Sequence, residues 1–170
     1  MLKHRKYKSG SRWALWRWTF VPSEFITRLI LLKTPSWSLI VHWINKPDPE
    51  PFMHDHPAPF WSLIWKGSYV ERRWTGEYHR GDEVVWCHWR RRFNRFRAHP
   101  NDRHQIIAVH PKGAVTLCFM GKKTREWGYH TGDGGWIYWR DYQAAERLAG
   151  PGGDPLKHVY PTITDKNNQL

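Results

Sequence analysis

Short apolar runs, each bounded by turn-forming residues, make up most of the chain after residue 27. Runs rich in Leu, Ile, Val and Trp favour β-strands, because branched and aromatic side chains pack well on a pleated surface. Lys66 with Gly67, and the stretch from His110 to Gly113, are predicted to be hairpin turns. The predicted strands are 28–33, 36–44, 60–65, 68–74, 83–89, 91–97, 103–109, 114–120 and 136–139.

This pattern divides the chain into four stretches. Residues 1–26 form a basic, Trp-rich lead segment, for which an amphipathic helix and a strand both remain open, and residues 27–140 carry the strands. Residues 141–150 contain good helix formers and end at a glycine, so they predict a short C-terminal helix. Residues 151–170 are polar and rich in Pro and Gly, which predicts a loosely ordered tail. Many short strands and one late helix predict an all-β sandwich or jelly-roll barrel.

The composition adds aromatic side chains and positive charge to this picture. The 170 residues include 13 Trp, and 27 Lys and Arg against 15 Asp and Glu give a net charge of +12. Such a charge attracts polyanions, phosphorylated metabolites or acidic protein surfaces. Part of the excess lies in the run from Arg90 to Arg97, where Phe93 and Phe96 alternate with arginines as stacking platforms for nucleic acid would. A solvated basic face is the alternative.

Cysteine usage and hydropathy bear on the expected compartment. The two cysteines, Cys87 and Cys118, both lie in apolar runs, so we expect buried free thiols and no disulfide framework. No apolar stretch approaches the roughly 20 residues that a membrane span needs. A cytoplasmic location is therefore expected.

The most specific local motif is His54-Asp55-His56, which follows a proline-rich loop. In an extended strand, residues two apart point to the same face, so His54 and His56 can present two imidazoles side by side to a metal ion. A second stretch ends at His104, which opens an apolar strand and shares its face with Ile106. These three histidines are the predicted metal ligands. One such triplet is expected by chance among 11 histidines, so the motif depends on its context.

The order of these features resembles the two motifs of the cupin superfamily over about residues 37–120. The first cupin motif has two histidines, a glutamate and a glycine, and the second has a proline-containing loop with one histidine. A nearer likeness is to small cupin proteins of bacteriophages and bacteria, through the stretches 47–51, 54–57, 67–71, 126–128 and 136–141. The resemblance implies a cupin double-stranded β-helix, a jelly-roll barrel with a short C-terminal helix, and a metal site. Cupins often dimerise through strand exchange, so a homodimer is one assembly that it allows.

The sequence departs from the cupin pattern at the glutamate, because Phe60, Trp61 and Ser62 stand where that ligand is expected. A hairpin at residues 66–67 would place Ser62 opposite Glu71, which could then supply the carboxylate. Without it, the site would hold three histidines, as in thiol dioxygenases within the cupins.

Two further residues are predicted to act on a substrate. Arg73 is in phase with Glu71, so its guanidinium could bind a carboxylate or phosphate, or be held by a structural carboxylate. His88 could line the cavity as a general base. With Fe, Mn, Ni or Zn as the divalent metal, the site predicts an oxygenase or isomerase acting on a small anionic substrate. The alternatives are a binding protein for a nucleotide or sugar without chemistry, and a nucleic-acid contact protein using Arg90 to Arg97.

Overall fold

The fold is an antiparallel β structure with a short helix after the last strand, as the sequence predicts. A computed structural model describes residues 19–21, 23–80, 82–91, 93, 95–99, 101–132 and 135–159. The expected helix or strand at Trp13 to Phe20 falls mainly outside these residues. The strands are β1 (Thr19–Val21), β2 (Ile26–Lys33), β3 (Ser38–Ile44), β4 (Met53–His54), β5 (Phe60–His79), β6 (Asp82–Arg91), β7 (Arg95–Ala98), β8 (His104–Met120), β9 (Gly128–His130) and β10 (Trp136–Tyr138), and the helices are α1 (Trp139–Ala149) and α2 (Leu156–Val159).

Two long strands, β5 and β8, run antiparallel to each other and organise the sheet. The half of β8 that begins at Ala114 lies between β3 and the first half of β5, whose other edge binds β7. The half that begins at His104 lies between β4 and the second half of β5, whose other edge binds β6. Strands β1 and β2 extend the first half of the sheet, and β9 and β10 extend the second.

The two predicted hairpins at residues 66–67 and 110–113 are wrong, because β5 and β8 each continue through the glycine. Gly67 and Gly113 both have φ +72° and lie against each other, so that a Cβ on Gly67 would clash with the carbonyl of Gly113. A positive φ suits a bend in a strand as well as a turn, and glycine adopts it without steric cost. The two glycines therefore mark a shared irregularity in the pairing of β5 with β8.

The core lies between the two halves of the sheet. One cluster of buried side chains joins Ile44 and Ala114 of the first half to Tyr69 and Ile106 of the second, around Ile64. Inward residues alternate with outward ones along these strands, as period-2 geometry requires. The result is a cavity of about 310 Å³ lined from both halves of the sheet.

The helix α1 packs on the far end of the second half. Tyr142 of α1 is buried with Tyr129 of β9 and Ile137 of β10, and Trp127 stacks on Trp139 at 5.5 Å between ring centroids. This aromatic cluster fixes β9, and β9 in turn holds β4, which carries the first predicted ligand. Neither helix in the described part of the chain has the length and apolar character to cross a membrane.

Candidate metal centre

The three predicted histidines come together on one wall of the cavity. His54 of β4 is the direct cross-strand partner of His104 of β8, so both imidazoles project from the same face. His56 follows β4, and its Nε2 lies 2.7 Å from Nε2 of His104. One ligand atom from each of the three residues falls within 4.8 Å of the others. The separation of His56 and His104 is close to the roughly 3 Å between nitrogen ligands that lie about 2.1 Å from one ion.

Two histidines of this wall, His54 and His56, are held as neutral ligands. Burial lowers the pKa of His54 and of His56 well below the usual value, and the charge of His104 lowers both further. A neutral imidazole keeps the lone pair that a metal ion requires. His54 and His56 are therefore unprotonated and available as nitrogen ligands at neutral pH.

Glu71 lies behind His104 rather than among the converging ligand atoms. Its Oε2 is 3.1 Å from Nδ1 of His104, on the opposite side of the ring from the Nε2 that meets His56. The proposed route for Glu71 to become a ligand is wrong, because β5 forms no hairpin and Glu71 pairs with His88 and Ile106 instead of Ser62. A carboxylate that accepts a hydrogen bond from Nδ1–H fixes the tautomer of the ring and leaves the Nε2 lone pair free for a metal ion. Carboxylates behind metal-binding histidines act in this way.

The Glu71 side chain is fully buried, and two arginines compensate its negative charge. Its Oε1 accepts from Nε of Arg90 at 2.8 Å and from the Nη2 of the same residue, and Nη1 of Arg73 lies 3.6 Å away. Burial by itself would raise the pKa of Glu71, but the hydrogen bond with His104, the charge of His104 and the Arg90 guanidinium lower it to about 2. The Glu71 carboxylate therefore stays ionised at neutral pH and supports the histidine wall through its hydrogen bond with His104.

Arg73 and His88, the two predicted catalytic residues, do not line the cavity. Arg73 donates through Nη2 to Asp102 at 2.9 Å and faces Glu71, which matches the alternative of an arginine held by structural carboxylates. His88 lies opposite Glu71 in the register, with its ring 6.4 Å from that of Trp86. The geometry therefore gives neither residue direct access to a substrate in the cavity.

The central Asp55 of the motif has a different task from its two neighbours. It is fully buried and accepts from Arg125, the backbone N–H of Gly128, His130 and the Trp136 indole, at distances of 2.8 to 3.0 Å. These partners belong to β9, β10 and the loop before β9. Asp55 thus ties the ligand-bearing segment to the strands that follow it.

The polar cavity residues that sequence reasoning missed include Arg28, His42, Asp48 and Thr116. Asp48 accepts from the backbone N–H of Ile106 at 2.7 Å and lies 3.7 Å from Nδ1 of His54, so a second carboxylate stands behind a second histidine. Period-2 alternation predicts the strand face on which each of Arg28, His42 and Thr116 lies, but it does not predict that these faces meet the histidine wall.

The basic run and the cysteines also differ from expectation. Arg90 is only 13% exposed and is committed to Glu71, so it does not present its charge to a polyanion. Positions 92 and 94 of the run fall outside the described residues. Cys118 is buried and lines the cavity, but Cys87 is exposed, and its predicted place in the core is wrong. An outward position on β6, next to a half-buried His88, explains the exposure.

Comparison with solved structures relates this architecture to known proteins. The oxalate decarboxylase of Lactobacillus farciminis, solved as a formate complex, matches with a TM-score of 0.52 and 9% identity over 90% of this chain and 41% of that one. The chain has the cupin fold. An RmlC-like cupin from Shewanella frigidimarina matches with a TM-score of 0.44 and 15% identity over 62% and 84% of the two chains.

Hydroxypropylphosphonic acid epoxidase from S. wedmorenis matches this cupin fold with a TM-score of 0.45 and 12% identity, over 61% of this chain. The chain spans 55% of the length of that epoxidase. No protein-family model matches the sequence, and no curated protein matches it either. The prediction of a double-stranded β-helix with a short C-terminal helix is confirmed, and the nearer likeness to bacteriophage proteins stays a prediction.

Proposed function

We propose that this cupin is a metal-dependent enzyme that binds a divalent transition metal through His54, His56 and His104 and acts on a small anionic substrate. The observation that carries the proposal is the convergence of these three imidazoles, from two distant segments, on one wall of a cavity. Three nitrogen ligands leave coordination positions open, which is typical of catalytic rather than structural metal sites.

The donor set fits iron, manganese, nickel or zinc, because imidazole is a good ligand for each of them. Such an ion would supply dioxygen activation in an oxygenase, or polarisation of a carbonyl in an isomerase. The chain's own contribution is to hold the ligands ready. Glu71 fixes the ring of His104, Asp48 stands beside His54, and burial keeps the imidazoles of His54 and His56 unprotonated.

The mainly apolar walls of the cavity support chemistry on a small molecule. Ile40, Ile44 and Ile106 line much of the space with apolar surface, and apolar surroundings strengthen electrostatic interactions. The guanidinium of Arg28 lines the same cavity and supplies a positive charge for an anion. The cavity volume of about 310 Å³ suits a metabolite rather than a polymer.

Element-resolved metal analysis of the purified protein tests the metal site. We expect about one equivalent of a transition metal in the wild type, and loss of at least nine-tenths of it in His56→Ala. His79→Ala is the matched control, because His79 is exposed at the end of β5 and should leave the metal content unchanged. A wild-type protein that neither contains nor binds these metals on titration would refute the proposal.

The catalytic part is tested with the metal-loaded protein and a panel of small carboxylates and sugar phosphates. Oxygen uptake would indicate an oxygenase, and interconversion seen by NMR without oxygen uptake would indicate an isomerase. A small molecule that binds without turnover would favour a non-catalytic binding protein instead. Oligonucleotide binding that weakens steeply with salt would favour the nucleic-acid alternative.

A further inference from the structure

One wall of the cavity, opposite the histidine wall, carries a row of three polar side chains on adjacent strands. Arg28 of β2 is the cross-strand partner of His42 of β3, and His42 is the partner of Thr116 of β8. Direct partners in antiparallel strands project from the same face with about 5 Å between their Cβ atoms. All three side chains line the cavity, so they form a continuous polar strip, which we call the Arg28 strip.

Among the residues that the structure describes, none accepts a hydrogen bond from the donors of the Arg28 strip. The Thr116 hydroxyl is buried, with the residue 1% exposed, and no described residue is its hydrogen-bond partner. Within the described part of the chain, neither the Arg28 guanidinium nor the His42 imidazole forms a side-chain hydrogen bond or a salt bridge. Buried polar groups nearly always have partners, so the unpaired Thr116 hydroxyl indicates where a ligand binds, and it lies in register with half-buried His42 and exposed Arg28.

The chemistry of the strip is that of an anion site. A guanidinium offers two parallel N–H groups that match the two oxygens of a carboxylate. Burial and, to a smaller extent, the charge of Arg28 lower the pKa of His42 to about 3, so the imidazole is neutral and offers one N–H. The hydroxyl of Thr116 supplies a further donor. The strip can therefore donate to both oxygens of one anionic group.

The surroundings limit the anion to one negative charge. Arg28 is the sole Lys or Arg among the described cavity-lining residues, and Asp48 adds a carboxylate to the same lining. In the metal-free protein, a phosphate dianion would bring a second charge without a second cationic side chain in the cavity lining to pair with it. The remaining walls are largely aliphatic and aromatic, and the volume of about 310 Å³ holds roughly ten non-hydrogen atoms at about 30 Å³ each.

We propose that Arg28, His42 and Thr116 form the subsite that binds the carboxylate of a small carboxylic acid with an apolar body. This inference deepens the proposed function, on which its catalytic meaning rests, because the subsite would orient the acid with its body toward the histidine wall. Carboxylate binding by the strip itself needs no metal. The two claims can therefore fail separately.

Isothermal titration of metal-free protein with hexanoate, hexanamide and butylphosphonate, three probes of equal size, tests the subsite. We expect hexanoate to bind at least tenfold tighter than either of the other probes. Arg28→Met should weaken hexanoate binding about 10- to 100-fold, as the loss of a charged hydrogen-bond donor does. Arg147→Met, on the exposed side of α1, is the matched control and should bind hexanoate like the wild type.

Thr116→Val provides a second variant that preserves the shape of the side chain. It should weaken hexanoate binding by about fivefold. The midpoint of thermal unfolding should stay the same or rise, because a buried hydroxyl without a partner is removed. Thr124→Val, at an exposed position, should change neither quantity.

Several results would overturn the proposal. These are no hexanoate binding at millimolar concentration, equal binding of hexanamide, or hexanoate affinity that is unchanged in Arg28→Met. Tighter binding of butylphosphonate with the same dependence on Arg28 would make the strip a phosphate subsite and refute the carboxylate. Hexanoate binding that persists in His56→Ala would support the subsite whatever the metal analysis shows, so failure of the metal proposal would be recognised separately.

Discussion

Replacing Glu71 by glutamine tests how the histidine wall is held. The substitution keeps the shape of the side chain and removes its charge. One oxygen could still accept from His104, but the amide nitrogen would then face Arg90, and two donors would oppose each other. The change therefore leaves a largely buried guanidinium without its counter-charge.

The magnitude follows from burial and from the number of contacts. Removing one partner of a buried ion pair costs about 3–5 kcal/mol. The lower end applies here, because Arg90 is 13% and Arg73 16% exposed and Arg73 keeps its bond to Asp102. We expect a loss of about 3 kcal/mol in the free energy of unfolding, which lowers the midpoint by about 6–12 °C in a domain of this size. Metal affinity should fall by about 10- to 100-fold, as for other carboxylates that orient a metal-binding histidine.

Two measurements check these values. Urea unfolding of chelator-treated protein gives the change in stability, and competition with a chromophoric chelator gives the metal affinity. Glu126→Gln is the matched control, because Glu126 forms an exposed ion pair with Lys123 and should change neither quantity measurably.

The reasoning would be refuted by a Glu71→Gln protein with wild-type stability, since the carboxylate would then not be supporting buried arginines. X-ray absorption distinguishes the two possible relations of Glu71 to the metal. A carboxylate oxygen lost from the coordination shell of the variant would make Glu71 a ligand, as the sequence hypothesis proposed. An unchanged shell with weaker affinity is the result that a positioning residue gives.

Three further substitutions probe other parts of the structure. Gly67→Ala should lower the free energy of unfolding by at least about 2 kcal/mol, because the new Cβ would meet the carbonyl of Gly113. Gly76→Ala is the control and should cost about 1 kcal/mol, since Gly76 has φ +94° but open space around it. Urea unfolding measures both values. Asp55→Asn should lower the free energy of unfolding by about 2–4 kcal/mol in the same assay, since a buried carboxylate with four hydrogen-bond donors loses its charge. A smaller loss than that of Gly76→Ala would contradict the anchoring role of Asp55. His42→Gln should flatten the acid side of the stability profile of metal-free protein by about 1.4 kcal/mol per pH unit between pH 4 and 6. The sign follows because a folded pKa of about 3 against 6.5 unfolded makes the unfolded state bind the extra proton, so stability is full above pH 6.5 and falls below it.

The sequence by itself determined the features that depend on short-range periodicity. Runs of branched and aromatic residues gave an antiparallel β protein with one late helix. The spacing of two between His54 and His56, and the position of His104 at the start of a strand, identified the three imidazoles that the structure brings together. The resemblance to cupins depended on the Pro, Gly and His residues of these motifs. Two ligands on adjacent strands can meet when each lies on the correct face of its strand, and the sequence predicts that face.

Only the tertiary structure decided how the strands continue and which faces meet. Gly67 signals a positive φ, but a hairpin turn and a bend in a paired strand need the same φ, and the contact with Gly113 across 46 residues selects the bend. The role of Glu71 likewise depends on Arg90 and His104 approaching from other strands. Arg28 and Thr116 are ordinary strand residues until the register of β2, β3 and β8 aligns them opposite the histidines. Local patterns fix the face on which a side chain lies, whereas its partners are set by the pairing of strands far apart in sequence.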